Sequence, residues 1–284
     1  MTEAETKARI LAAALPWIRA HQDARVVVKI GGEALEDAAL ARTVVADLAL
    51  LSLVGMRLVV VHGGGPQVSR AMQRAGLEAS FVGGLRVTDD AAFTVVRQVL
   101  VGEINQDLVS MLNAAGARAV GISGADGGLL RAKPQPGPNS EDLGRVGAID
   151  EVDPSVVDVL FDAGYTPVVA PVAPDADGRP LNVNADTAAG AIAAALGAAK
   201  LVYLTNVDGL YRDFGDTDSL VSELKADELS ALVPTLSDGM RPKAESAVAA
   251  LDAGVGKVHI LDGRVPHALL LEVFTDEGVG TQIQ

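Results

Sequence analysis

Val26-Val27-Val28-Lys29-Ile30-Gly31-Gly32-Glu33-Ala34 decides how this chain is read. A run this rich in β-branched residues reads as a strand buried on both faces. The two glycines after it allow a tight turn and a close backbone approach to a ligand before the next helix. Lys29 beside that turn could hold an anion. The spacing is not that of a Walker loop, and taken alone the pattern is better read as a snorkelling lysine at an ordinary strand-to-helix turn.

The plan repeats at Val59-Val60-Val61-His62-Gly63-Gly64-Gly65-Pro66. Three glycines between a strand and a helix present backbone N–H groups where the helix dipole favours an anion. The loop lacks the GxGxxG spacing of a dinucleotide fold. His62 at a strand end reads as structural rather than as an acid or base.

Outward from these two units, strand-like runs recur at Ala117 to Ile122, Thr166 to Ala170, Lys200 to Thr205 and Lys257 to Leu261. Helical patterns separate them: Asp37 to Leu53, Gln67 to Ala75, Asp89 to Ala114, Pro154 to Ala163, Asp186 to Leu196 and Lys243 to Ala253. This alternation predicts an α/β fold with a mostly parallel sheet covered on both faces. Residues 3–20 read as an amphipathic helix with Ile10, Leu11, Leu15, Trp17 and Ile18 along its apolar stripe and Pro16 as a candidate kink. Arg131 to Arg145 reads as an exposed excursion. Ala173 to Leu181 reads as an irregular stretch, near which a lobe boundary is expected.

Composition narrows the chemistry. The 284 residues contain no cysteine, which excludes disulfides, thiolate metal sites and a cysteine nucleophile. A formal charge of −14 opposes a general nucleic-acid or anionic-membrane surface, so positive charge for an anionic ligand must be concentrated locally. No transmembrane run or basic-then-apolar leader is seen, and a cytoplasmic location is expected.

Four further constellations stand out. Gly83-Gly84-Leu85-Arg86-Val87-Thr88-Asp89 offers an arginine able to grip a carboxylate. Asn182-Val183-Asn184-Ala185-Asp186 gathers two amides and a carboxylate at a helix start, more than capping alone requires. Thr205-Asn206-Val207-Asp208-Gly209-Leu210 is a polar turn after a buried strand. Gly239-Met240-Arg241-Pro242-Lys243 puts a lysine at a helix start, where a nearby anion would explain it.

In this order, KIGG, HGGGP, GGLRVTD, NVNAD, LTNVDGLY and GMRPK resemble the amino-acid kinase family. The resemblance runs from about Arg25 to the C-terminus and is closest to the branch acting on N-acetyl-L-glutamate. It implies a three-layer αβα sandwich, with residues 23–178 as a lobe for the acyl substrate and 179–284 as a lobe for ATP. It implies transfer of the ATP γ-phosphoryl group to the side-chain carboxylate, with Mg²⁺ entering on the nucleotide and no metal held by protein ligands.

By the same resemblance, Lys29 and Lys243 would stabilise the transferring phosphoryl group, organised by Asp186. Gly31 and Gly32 would hold phosphate, and Gly64, Gly65, Arg86, Asn182 and Asn184 would hold the acyl substrate. Thr205, Asn206, Val207, Asp208, Gly209, Leu210, Thr235, Leu236, Ser237 and Met240 would line the ATP site. The stretches from His259 to His267 and from Glu272 to Gly278 resemble members inhibited by L-arginine, which puts His259, Glu272 and Gly278 near that effector. Those members carry an N-terminal helix, here residues 1–22, and assemble as hexamers, trimers of dimers. Glu33 departs from the pattern, since many members have Asn there. A carrier-protein-linked aminoadipate or glutamate kinase, and a catalytically silent amino-acid sensor, are the alternatives the sequence leaves.

Overall fold

The computed structural model describes residues 2–212, 219–237, 239–275 and 278–284. Asp276 and Glu277, within the C-terminal stretch singled out above, lie outside the described residues.

The Val-rich runs form the centre of an eight-stranded sheet. Its strands are β1 (Arg25–Ile30), β2 (Arg57–His62), β3 (Ala119–Ser123), β4 (Thr166–Ala170), β5 (Lys200–Thr205), β6 (Glu223–Leu224), β7 (Lys257–Asp262) and β8 (Thr281–Ile283). Their order is β6-β8-β7-β5-β1-β2-β4-β3, and every join is parallel except β7 with β8.

The helices are α1 (Glu3–His21), α2 (Ala38–Leu53), α3 (Gly65–Arg74), α4 (Asp90–Arg97), α5 (Asn105–Ala114), α6 (Ser155–Asp162), α7 (Ala185–Ala195), α8 (Ala226–Leu232), α9 (Arg241–Asp252) and α10 (Ala268–Phe274). Side chains alternate across a strand. Val26, Val28 and Ile30 pack with Leu48 of α2, Leu112 of α5 and Leu269 of α10. Val27 packs on the opposite face with Phe161 of α6, Ile192 of α7 and Ala247 of α9. The result is helix, sheet, helix, and the same alternation sends Lys29 to the face covered by α7 and α9.

Two segments read as irregular are strands. Leu130–Pro134 pairs antiparallel with Val146–Val152, and Val172–Pro174 pairs antiparallel with Pro180–Val183. The four make a second sheet, so only residues 135–145 remain of the expected excursion. Leu130 and Ala132 are buried while Arg131 and Lys133 are exposed. Such a short alternation, ending in Pro134, reads as loop when neighbouring strands are not known. The expected lobe boundary falls in the turn between Pro174 and Pro180.

The long helix expected from Asp89 is helical throughout, with a π-helical stretch at Gln98–Ile104 between α4 and α5. Asp89 caps α4 by accepting from the Ala92 N–H at 2.7 Å. α1 runs through Pro16, starts on a capping box between Thr2 and Glu5, and buries none of its residues. Ile10 and Leu11 are 62% and 73% exposed. Among the described residues, no helix is long and apolar enough to cross a membrane.

Candidate active site

Three charged side chains distant in sequence meet at the C-terminal ends of the central strands. Lys29 comes from β1, Asp186 from the first turn of α7 and Lys243 from the first turn of α9. Asp186 Oδ1 accepts from Lys29 Nζ at 2.9 Å and from Lys243 Nζ at 3.0 Å, and Oδ2 accepts from Lys243 at 3.0 Å. All three are buried. Burial opposes ionisation of Asp186, but the Lys243 and Lys29 ammoniums overcome it and hold the carboxyl below its usual range. Burial draws Lys243 down to about 8, against the attraction of Asp186.

The triad rests on a second layer. Ser246 Oγ donates to the Asp186 carbonyl at 2.9 Å, and the Tyr203 hydroxyl donates to Ser246 Oγ at 2.9 Å. Lys243 Nζ lies 5.1 Å from the Tyr203 ring centroid. Burial, then the negative charge of Asp186, raises the Tyr203 phenol above its ordinary value, so it stays a donor. Gly190 makes room for this contact, since a Cβ there would stand 2.1 Å from Ser246 Oγ.

On one side of the triad opens a cavity of about 430 Å³. Its walls include Lys29, Asp186 and Lys243, with Thr205, Asn206, Val207, Gly209 and Leu210 from the turn after β5, and Thr235, Leu236, Ser237 and Met240 ahead of α9. Glu33 and the exposed Arg212 also line it. Asp208, grouped with these residues by the sequence, does not line it. Its carboxylate accepts from the Tyr211 hydroxyl at 2.5 Å and from Arg264 Nη2 at 3.3 Å.

A second cavity, of about 170 Å³ and lined by none of the three triad residues, is walled by Gly64, Gly65, Arg86, Asn182 and Asn184 among others. Asn184 and Ala185 line this cavity and Asp186 lines the larger one, so the N-terminus of α7 stands between the two. Arg86 is oriented by Nη2 bonds to the Gly65 carbonyl (2.9 Å) and Ser69 Oγ (2.8 Å), and its guanidinium lies over the Phe81 ring at 4.6 Å. Part of Asn184 is already committed: its Oδ1 caps α7, accepting from the N–H groups of Asp186 (2.8 Å) and Thr187 (3.1 Å).

The two glycine loops differ from the sequence expectation at one position. The Gly31 N–H donates to the Leu204 carbonyl at 3.1 Å, which withdraws it from any phosphate. The Gly32 and Gly64 N–H groups have no backbone acceptor among the described residues. Gln67 Nε2 donates to the Gly32 carbonyl at 2.8 Å and so ties one loop to the helix that follows the other.

His62 is structural. It is fully buried, its Nδ1 meets the Gly63 carbonyl at 3.0 Å, its Nε2 meets Asn105 Nδ2 at 3.2 Å, and burial lowers its pKa to about 4. Gln67 and Asn105 went unnoticed in the sequence.

His259 and Glu272 meet away from the triad, with Nδ1 2.8 Å from Oε1 but off the line that a hydrogen bond requires. His259 is fully buried. Beside them a cavity of about 390 Å³ is lined by Glu272, Gly278, Trp17 of α1, Lys200 and Lys257 among others. The sequence missed Trp17 and the two lysines because α1 and the starts of β5 and β7 become neighbours only in the fold.

The pattern of the amino acid kinase family matches residues 24–262. An acetylglutamate kinase from Acidothermus cellulolyticus is 50% identical over 290 residues, covering 100% of this chain and 98% of that protein. Among solved structures, N-acetylglutamate synthase from Neisseria gonorrhoeae complexed with coenzyme A and N-acetyl-glutamate has a TM-score of 0.86 at 32% identity. It covers 97% of this chain, which spans 63% of that longer one. The same synthase complexed with coenzyme A and L-arginine gives a TM-score of 0.81 at 31% identity, over 97% of this chain and 65% of that one. Two glycine loops, a lysine-carboxylate-lysine triad lining the larger of two cavities that border the start of α7, and a family match over residues 24–262 lead to one conclusion: the chain belongs to the amino acid kinase family.

Proposed function

We propose that the protein phosphorylates the side-chain carboxylate of N-acetyl-L-glutamate from ATP, giving N-acetyl-L-glutamyl 5-phosphate and ADP. The observation that carries this reading is the Lys29-Asp186-Lys243 triad lining the large cavity, with the small cavity bordering the same start of α7. The large cavity has the polar turn and helix starts suited to a nucleotide. The small one, of about 170 Å³, has a buried arginine for the free carboxylate of an acylated amino acid. Full-length identity of 50% to an acetylglutamate kinase supports the substrate.

The mechanism follows from charge. An ionised carboxylate is already a nucleophile, so no general base is needed, and phosphoryl transfer calls for positioning and electrostatic stabilisation. The carboxylate oxygen forms a bond to the γ-phosphorus as the bond to the β,γ-bridging oxygen breaks, and ADP leaves with that electron pair. Lys29 and Lys243 stabilise the charge spread over the phosphoryl oxygens. Asp186 holds the two ammoniums side by side against their repulsion. The Gly32 and Gly64 amides donate to the same group, while Arg86, Asn182 and Asn184 orient the acyl substrate.

Magnesium fits as a passenger of the nucleotide. Both Asp186 oxygens are engaged by lysines, and among the described residues no group of three His, Cys, Asp or Glu could cage an ion. The ion would sit on the nucleotide in the large cavity, where Glu33 is the other lining carboxylate among the described residues. Bound there, the ion would neutralise charge on the β- and γ-phosphates.

Residues 23–178 would serve as the acyl-substrate lobe and 179–284 as the ATP lobe. L-Arginine is the proposed feedback inhibitor, bound in the cavity beside Glu272. There Lys200 has its pKa lowered by burial and by Lys257, while Glu272 opposes the shift, so an amino-acid carboxylate at the lysines and a guanidinium at Glu272 would suit the charges. The arginine-bound synthase complex of similar fold supports this reading. The exposed apolar face of α1 supports a hexamer joined through such helices.

The test is ATP-dependent acyl phosphate formation trapped as the hydroxamate, comparing N-acetylglutamate, N-acetylaspartate, glutamate and aspartate. Turnover of the first well above the others is expected. Its absence would sink the assignment.

A further inference from the structure

Glu33 is the charged wall of the nucleotide cavity that the mechanism does not use. It lies in the loop after β1 and lines the same cavity as Lys29, Asp186 and Lys243. Its side chain curls back over the loop, with Oε2 3.3 Å from where a Cβ on Gly31 would stand. No ion pair neutralises it among the described residues. Arg264, which shares an adjoining cavity with Glu33, is committed to Asp262 at 2.8 Å and to Asp208 at 3.3 Å.

The charges of the pocket therefore nearly cancel. Among the described lining residues, Lys29 and Lys243 are balanced by Asp186 and Glu33, and exposed Arg212 is the remaining cation. An uncomplexed ATP brings about four negative charges into this near-neutral site, whereas its magnesium complex brings about two, so an unpaired carboxylate repels the free form more strongly. The field of Glu33 also reaches Lys243, where it favours the charged ammonium.

We propose that Glu33 makes the nucleotide cavity selective for metal-complexed over free ATP, by repelling a triphosphate whose charge magnesium has not reduced. This rests on the nucleotide reading above and adds a selectivity to it. The carboxylate acts through its field and need not ligate the ion.

The test is calorimetric titration of ATP into the parent protein and Glu33→Gln, once in EDTA and once in excess magnesium. In EDTA the variant should bind ATP about fivefold or more tightly than the parent, while in magnesium the two should agree within about twofold. An equal change in both conditions, or none in either, would overturn the Glu33 inference while leaving nucleotide binding intact. Failure of the parent to bind ATP in either condition would overturn the nucleotide reading and this inference with it.

Discussion

Asp186 accepts from two buried ammoniums at once, so its removal does more than delete a contact. Asp186→Asn leaves Lys29 and Lys243 facing each other without a counter-charge, and breaking a buried pair on one side costs about 3 kcal/mol. Urea denaturation should report a loss of that order, and a loss below about 1 kcal/mol would refute the triad as described. Lys243→Met should lower kcat about 10²- to 10³-fold with a far smaller change in KM, because the charge acts mainly in the transition state. Steady-state kinetics decide it.

The same lysine sets a pH limit. Its pKa is depressed by burial to about 8, so in the free enzyme the ammonium is lost as pH rises through that value. kcat/KM for ATP should fall above about pH 8, whereas kcat at saturating ATP should hold to higher pH, since bound phosphates favour the ammonium. Coincident profiles would count against Lys243 as the titrating group.

Among elements, the contact between α7 and α9 matters most, because each contributes one member of the triad. Gly190 in α7 backs onto Ser246 in α9, where a new Cβ would lie 2.1 Å from Oγ and 3.1 Å from the carbonyl oxygen. Helix propensity alone would make Gly190→Ala stabilising by about 1 kcal/mol. Overpacking costs about 1–3 kcal/mol, so the expected outcome is a lower Tm together with reduced kcat as α9 shifts Lys243. A raised Tm would mean that the contact yields easily. α7 also shows how local chemistry and site chemistry overlap: Asn184 caps the helix with its carbonyl oxygen while the residue lines the smaller cavity.

At the scale of the whole molecule, α1 lies outside the core, yet Trp17 reaches the cavity beside Glu272. Removing residues 1–22 should leave kcat without arginine within about twofold, because the triad gains nothing from α1. The proposed arginine inhibition and the proposed hexamer should both be lost. Inhibition curves and light scattering check the two halves separately, and an unchanged arginine response would remove Trp17 from the effector site.

What could be read from the chain alone were the elements whose own residues settle their state. β1, β2, β4 and β5 are apolar through most of their length because both faces are covered, and such runs declare themselves without knowledge of their neighbours. The glycine loops and polar helix starts were legible for the same reason, and their order carried the family. The second sheet was not legible, since Leu130–Pro134 and Val172–Pro174 are short strands ending in proline whose identity as strands depends on their partners. Nor could the chain alone say which candidate groups remain available to a ligand. The Gly31 amide is spent on Leu204, Asp208 on Arg264 and Tyr211, and His62 on Asn105. Glu33 lines the cavity beside the lysines, with no ion pair among the described residues. The sequence determined that Lys29, Asp186 and Lys243 were present beside turns able to use them. Only the tertiary structure decided that they meet, because β1, α7 and α9 converge through packing between segments more than fifty residues apart.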